Sequence, residues 1–166
     1  GDASYYELGG MNNSARLTHC KASDYEVFTG QTLNHLENGT YTLTAWVKGT
    51  GSNKHFLSIK HHGSEEEICY FPVTEVWTQI AIRDISITSG KCEIGIYSNA
   101  AAYEWCSVDN IILQKTNTYY PPVASDALDN NLLKNPSFES NGNATLEHWG
   151  TWNGSNGSGE NASFVF

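Results

Sequence analysis

Short runs that alternate apolar and polar residues, broken by turn residues, constrain this chain more than any other feature. Behind the turn Asn38-Gly39-Thr40, the residues Tyr41, Leu43, Ala45 and Val47 alternate with Thr42, Thr44, Trp46 and Lys48. A period of two puts those sets on opposite faces of a pleated strand, one to be packed and one to meet solvent or ligand. The same reading predicts strands over Ser14 to His19, Tyr25 to Leu33, His55 to His61, Glu67 to Phe71, Trp77 to Ile82, Lys91 to Tyr97 and Ser107 to Lys115. No convincing helix accompanies them. Strands in this number predict an all-β sandwich of two stacked antiparallel sheets.

The pattern stops between Thr116 and Asn130, where Pro121-Pro122 stands among small and polar residues, so 116–130 reads as a linker between a domain at 1–115 and a short segment at 131–166. That segment starts a new strand at Asn131 to Glu139 and then becomes rich in Gly, Asn and Ser around Trp149 and Trp152. It is too short and too polar for a core of its own. Asn161-Ala162-Ser163-Phe164-Val165 echoes Asp2-Ala3-Ser4-Tyr5-Tyr6, a faint sign of a repeat. Gly1 reads as a cut end, any secretion signal having been removed or lying outside this sequence.

With 9 Lys and Arg against 18 Asp and Glu, the chain of 166 residues carries a net charge of −9, which argues against nucleic acid and anionic membranes as partners. Catalysis finds no support either. The acidic cluster Glu65-Glu66-Glu67 follows Gly63-Ser64 in an expected hairpin turn, and no G-x-S-x-G, H-E-x-x-H or phosphate-binding loop is present. His61-His62 is a poor metal pair, because neighbours on a strand point to opposite faces. Cys20, Cys69, Cys92 and Cys106 match no metal spacing; they read either as core thiols or, in a secreted protein, as up to two disulfides.

Three stretches carry a family likeness: Leu17-Thr18-His19; Tyr25-Glu26-Val27-Phe28-Thr29-Gly30-Gln31-Thr32; and Asn38 to Lys48. With Trp77-Thr78-Gln79-Ile80 and Trp105-Cys106-Ser107-Val108-Asp109-Asn110-Ile111, they resemble the carbohydrate-binding modules attached to bacterial arabinogalactan endo-β-1,4-galactanases. The resemblance runs in order over residues 2 to 115. It implies a galactose-binding-like jelly-roll β-sandwich, secreted or at a bacterial cell surface, that binds β-1,4-galactan or a galacto-oligosaccharide and targets an upstream glycoside hydrolase of the same polypeptide. The alternative is a structural or adhesion domain of a multidomain surface protein.

Such modules open with an N-x-x-F-E segment and a Trp, which here stand at the far end as Asn135-Pro136-Ser137-Phe138-Glu139 and Trp149. By that resemblance the domain lacks its opening strands, and 131–166 holds the opening strands of a following tandem module. An uncovered sheet edge needs filling. The C-terminal strand is expected to fill it, either in cis or in a neighbouring chain as a swapped dimer.

The resemblance also implies a structural Ca2+ held by Asp109 and Glu139, supplemented by carbonyls of the loop Gly9 to Asn13, because calcium takes six to eight oxygens. Sugar recognition needs flat aromatic faces with hydrogen-bonding groups beside them. The candidates are Trp46, projecting opposite the Leu43/Ala45/Val47 stripe; Trp105 with its neighbours Tyr103 and Asn99; His19, Tyr25, Thr29 and Gln31 from the closest-matching segments; and His55 and His61, which bracket an alternating strand. Trp77, Trp149 and Phe138 are expected in the core or at its rim.

Overall fold

The computed structural model describes residues 2–116, 132–133, 138–140, 143–144 and 148–153, of which 139–140, 143–144 and 153 are described by backbone alone. Along the chain run β1 (Ser4–Leu8), a 3-10 turn (Met11–Asn13), β2 (Ala15–Cys20), β3 (Tyr25–Asn34), β4 (Gly39–Gly49), β5 (His55–Lys60) and β6 (Glu67–Tyr70). β7 (Thr74–Ile87), β8 (Lys91–Ala100) and β9 (Trp105–Lys115) follow, then β10 (Glu139–Ser140), β11 (Asn143–Ala144) and β12 (Gly150–Asn153). Sheet I has the order β1-β2-β9-β4-β7 and sheet II the order β12-β3-β8-β5-β6, with every pairing antiparallel. The expected two-sheet sandwich is the observed architecture.

Alternation in the sequence becomes burial between the sheets. Tyr41, Leu43, Ala45 and Val47 of β4 face inward and are almost wholly covered, as are Leu57 and Ile59 of β5 and Cys92, Ile94 and Ile96 of β8. In β9 the spacing changes: Val108, Ile111 and Leu113 all enter the core. The reason is a bulge, marked by a register shift against β4 between Thr44 and Trp46 and by Asn110 at φ +48. One extra residue restores the inward face after Asp109.

Three differences from expectation have physical causes. β1 escaped the periodicity reading because its buried residue is Ser4 while Tyr5, Tyr6 and Leu8 lie open on an edge strand. β7 extends well past Ile82, carried through Arg83-Asp84 by a second register shift where Asp84 takes φ +59. From the C-terminal segment, Leu133, Phe138 and Trp149 enter the same core as β4 and β8, and β12 pairs with β3. Residues 117–130 of the expected linker and the echo at 161–165 lie outside the described residues.

All four cysteines are free thiols, and burial pushes Cys92 and Cys106 up to about 12. Among the described residues no helix is long and apolar enough to cross a membrane.

Candidate functional site

The register of sheet II places side chains on its outer face that the sequence keeps far apart. In β3 the residues Tyr25, Val27, Thr29, Gln31 and Leu33 point inward, so Glu26, Phe28, Gly30, Thr32 and Asn34 point out. Phe28 stands opposite Trp152 of β12 and Tyr97 of β8; Tyr97 stands opposite Phe56 of β5, and Phe56 opposite Tyr70 of β6. Five aromatic residues therefore form one row across five strands, spanning about 19 Å at a strand spacing of about 4.8 Å. Phe56 and Tyr97 stack with centroids 4.8 Å apart, and Tyr70 meets Phe56 edge-on at 5.5 Å. The Tyr97 hydroxyl donates to Glu26 Oε1 at 2.5 Å.

Beside that row runs a corridor of glycines, Gly150 opposite Gly30 and Gly30 opposite Gly95. The Phe28 ring lies flat across it: a Cβ on Gly30 would stand 2.6 Å from Phe28 Cε1 and 2.7 Å from the Ile94 carbonyl oxygen. Lys60 Nζ caps the other face of that ring, 4.1 Å from its centroid. Phe28 is thus packed on both faces. The open aromatic surfaces at the two ends of the row are Trp152 and Tyr70, each 47% exposed.

Next to Trp152 the surface sinks into a groove of about 820 Å³, lined among others by Phe28, Thr32, Asn34, Glu93, His148 and Trp152. Its amide, hydroxyl, imidazole and carboxylate groups stand beside an open indole face. Glu93 Oε2 lies 3.5 Å from both Lys60 Nζ and His61 Nε2 at the groove's wall. A second hollow, about 270 Å³, lies at another end of the sheet between Asp24, Tyr25, Glu26, Lys54 and Asn99. It has charged walls and no open aromatic face, since Tyr25 is buried.

The residues expected from the sequence to bind sugar are dispersed. Gln31 lines the larger groove, while Tyr25 and Asn99 line the smaller hollow. Trp46 does project opposite the core stripe, but on the outer face of sheet I, where Trp105 also lies half-buried. Tyr103 is exposed in the turn before β9, and exposed His61 pairs with Glu93.

His19, Thr29 and His55 need correction: all three are buried between the sheets and meet no solvent. His19 Nδ1 and His55 Nδ1 each lie 2.8 Å from Ser98 Oγ, and His19 Nε2 lies 3.0 Å from Thr29 Oγ1, which Ser4 Oγ approaches to 2.7 Å. One hydroxyl proton cannot serve two imidazoles, so at least one of the two Nδ1–H groups donates to Ser98. Burial pushes His19 down to about 3 and His55 to about 4, keeping both neutral. Tyr25 is fixed in the same region, its Oη 2.8 Å from the Glu104 carbonyl oxygen, and burial raises its pKa strongly. These polar residues tie sheet I to sheet II.

Asp109 is also wholly buried, and it accepts from Met11 N at 2.8 Å, Ser14 Oγ at 2.9 Å and Asn110 N at 2.7 Å. Around Gly10 the oxygens crowd so closely that a Cβ would stand 2.4 Å from Ala15 O, 2.6 Å from Asp109 Oδ2 and 2.7 Å from Ser14 Oγ. This oxygen-rich cradle suits a hard cation in kind. The side chain of Glu139 lies outside the described residues, which contain no group of three His, Cys, Asp or Glu able to hold a metal.

Phe28, Phe56, Tyr97 and Trp152 were missed by reasoning from sequence. Strand parity would have pointed the first three outward, because Val27, Leu57 and Ile96 mark the inward faces of their strands.

Neither a family model nor a curated protein matches the sequence. Solved structures do match the fold. A carbohydrate-binding module, TmCBM61, in complex with β-1,4-galactotriose, aligns with a TM-score of 0.61 at 18% identity over 69% of this chain and 83% of that one. A family 16 carbohydrate-binding module aligns with a TM-score of 0.52 at 19% identity, covering 69% and 87%. The enzymatically active domain of tailspike protein 4 of bacteriophage CBA120 gives 0.53 at 17% identity, over 70% of this chain and 18% of that one. The chain shares the β-sandwich of carbohydrate-binding modules.

Proposed function

We propose that this chain is a non-catalytic carbohydrate-binding module that seats a β-1,4-galactan chain in the groove of sheet II and holds a linked glycoside hydrolase on its polymer. The observation that carries this reading is the aromatic row ending in the open face of Trp152, beside a groove lined with hydrogen-bonding side chains. Pyranose rings present C–H faces to an indole and hydroxyls to amides, carboxylates and imidazoles. Glu93, the carboxylate of the groove wall, pairs with Lys60 and His61 rather than facing a second carboxylate, which is not the arrangement of a glycosidase. The galactotriose-bound neighbour supports galactan as the first sugar to test. Modest affinity per module would be raised by tandem copies through effective concentration.

The same reading keeps a structural calcium ion at Asp109, with the Met11 and Ala15 carbonyls and Glu139 as further ligands; bound there, it would tie the C-terminal segment to β9. Calorimetric titration with β-1,4-galactotriose, with calcium and again with chelator, tests both parts. Saturable binding is the expected result, and a lower melting temperature with chelator is expected for the metal. A folded protein that gives no heat with any galactan contradicts the sugar, and an unchanged melting temperature contradicts the ion.

A further inference from the structure

The C-terminal segment reaches both the interior and the groove with a few residues. Trp149 is buried against Phe138, their centroids 5.2 Å apart, and Thr151 Oγ1 lies 3.3 Å from Thr29 Oγ1, itself bonded to His19. Between and beyond these anchors, His148 and Trp152 face the groove and Gly150 extends the glycine corridor. The opposite wall comes from Phe28, Thr32, Asn34 and Glu93, more than fifty positions earlier in the sequence. Among the described residues β12 is an edge strand, paired with β3 alone. It therefore has less to hold it than any strand in the middle of either sheet, and local opening of such an edge costs less than global unfolding.

From this arrangement we propose that the groove is a composite site, completed by the C-terminal strand, so that glycan occupancy and docking of β12 are one linked equilibrium. The proposal rests on the glycan reading above and adds what completes the site. A ligand that touches both walls binds the docked form and not the undocked one. It must then stabilise docking by the factor 1 + [L]/Kd, and any change that undocks the strand must weaken apparent affinity by the docked fraction.

Hydrogen exchange on the full chain, with and without β-1,4-galactotriose at 100 times its Kd, reads the linkage directly. The expected result is protection of amides 148–153 increased by about a hundredfold. Thr151→Pro removes a strand N–H without altering the Trp152 side chain itself; it is expected to weaken binding by about tenfold or more while the far-UV spectrum stays that of a β-sandwich. Saturable binding with exchange at 148–153 unaltered overturns the proposal, as does wild-type affinity in a Thr151→Pro variant whose 148–153 amides exchange freely. Absence of any saturable binding by the wild-type chain instead removes the glycan reading on which the proposal stands.

Discussion

The outer faces of the two sheets hold similar numbers of aromatic residues and use them differently. On sheet I, Trp46, Trp77 and Trp105 stand half-buried among neighbours that satisfy one another: Lys48 Nζ sits 4.7 Å from the Trp77 ring centroid, and Glu7 Oε1 takes both the Thr18 hydroxyl at 2.7 Å and the Arg16 guanidinium at 3.1 Å. On sheet II the aromatics line up in register, the Phe28 ring lies over Gly30 and Gly95, and a groove opens beside exposed Trp152. The same chemistry makes a sealed surface in one case and a groove in the other. Aromatic content alone does not make a groove; space beside an open ring face does.

The contrast is sharpened most strongly by Trp149→Ala, which removes the core anchor of the segment walling the groove. It should destabilise the protein by about 3–5 kcal/mol in denaturant titration; Trp77→Ala, on the outer face of sheet I, should cost far less. Acid should strike the interior that joins the sheets. His19 and His55 are depressed to about 3 and about 4 in the folded state, so the unfolded chain binds more protons below its ordinary histidine pKa. Stability is full above about pH 6.5 and should fall as pH drops from there toward 4, with a slope of about 1.4 kcal/mol per pH unit for each histidine. Melting temperatures across that window check the sign, and His55→Gln should flatten the curve.

Smaller effects separate the two faces themselves. Gly30→Ala places a methyl against the Phe28 ring and the Ile94 carbonyl and should cost about 1–3 kcal/mol of stability, with weakened sugar binding. Trp152→Ala should lower galactotriose affinity by about 1–2 kcal/mol with the fold intact. Trp46→Ala should change affinity by less than about 0.5 kcal/mol. Reversal of those last two would move the site to sheet I.

Much of the fold was legible because burial follows parity. Leu43, Ala45 and Val47 announced the inward face of β4, and eight strands were readable by the same rule. β1 was not, since an edge strand with one covered face residue leaves no alternation to read. The site was less legible for a different reason. Trp152 meets Phe28, and Phe28 meets Tyr97, only through cross-strand register, which no local pattern encodes. His19 and His55 looked like ligand groups because imidazoles suit sugars, yet their strands turn them inward toward Ser98. The buried positions of Phe138 and Trp149, expected in the core or at its rim, followed from size and apolarity alone.

One measurement tests the central claim most directly: titration of β-1,4-galactotriose into the wild-type chain, Trp152→Ala and Trp46→Ala, each shown to be folded. The account predicts saturable binding to the wild type, a loss of about tenfold in affinity for Trp152→Ala, and an unchanged curve for Trp46→Ala. Wild-type affinity in Trp152→Ala with loss in Trp46→Ala would contradict it.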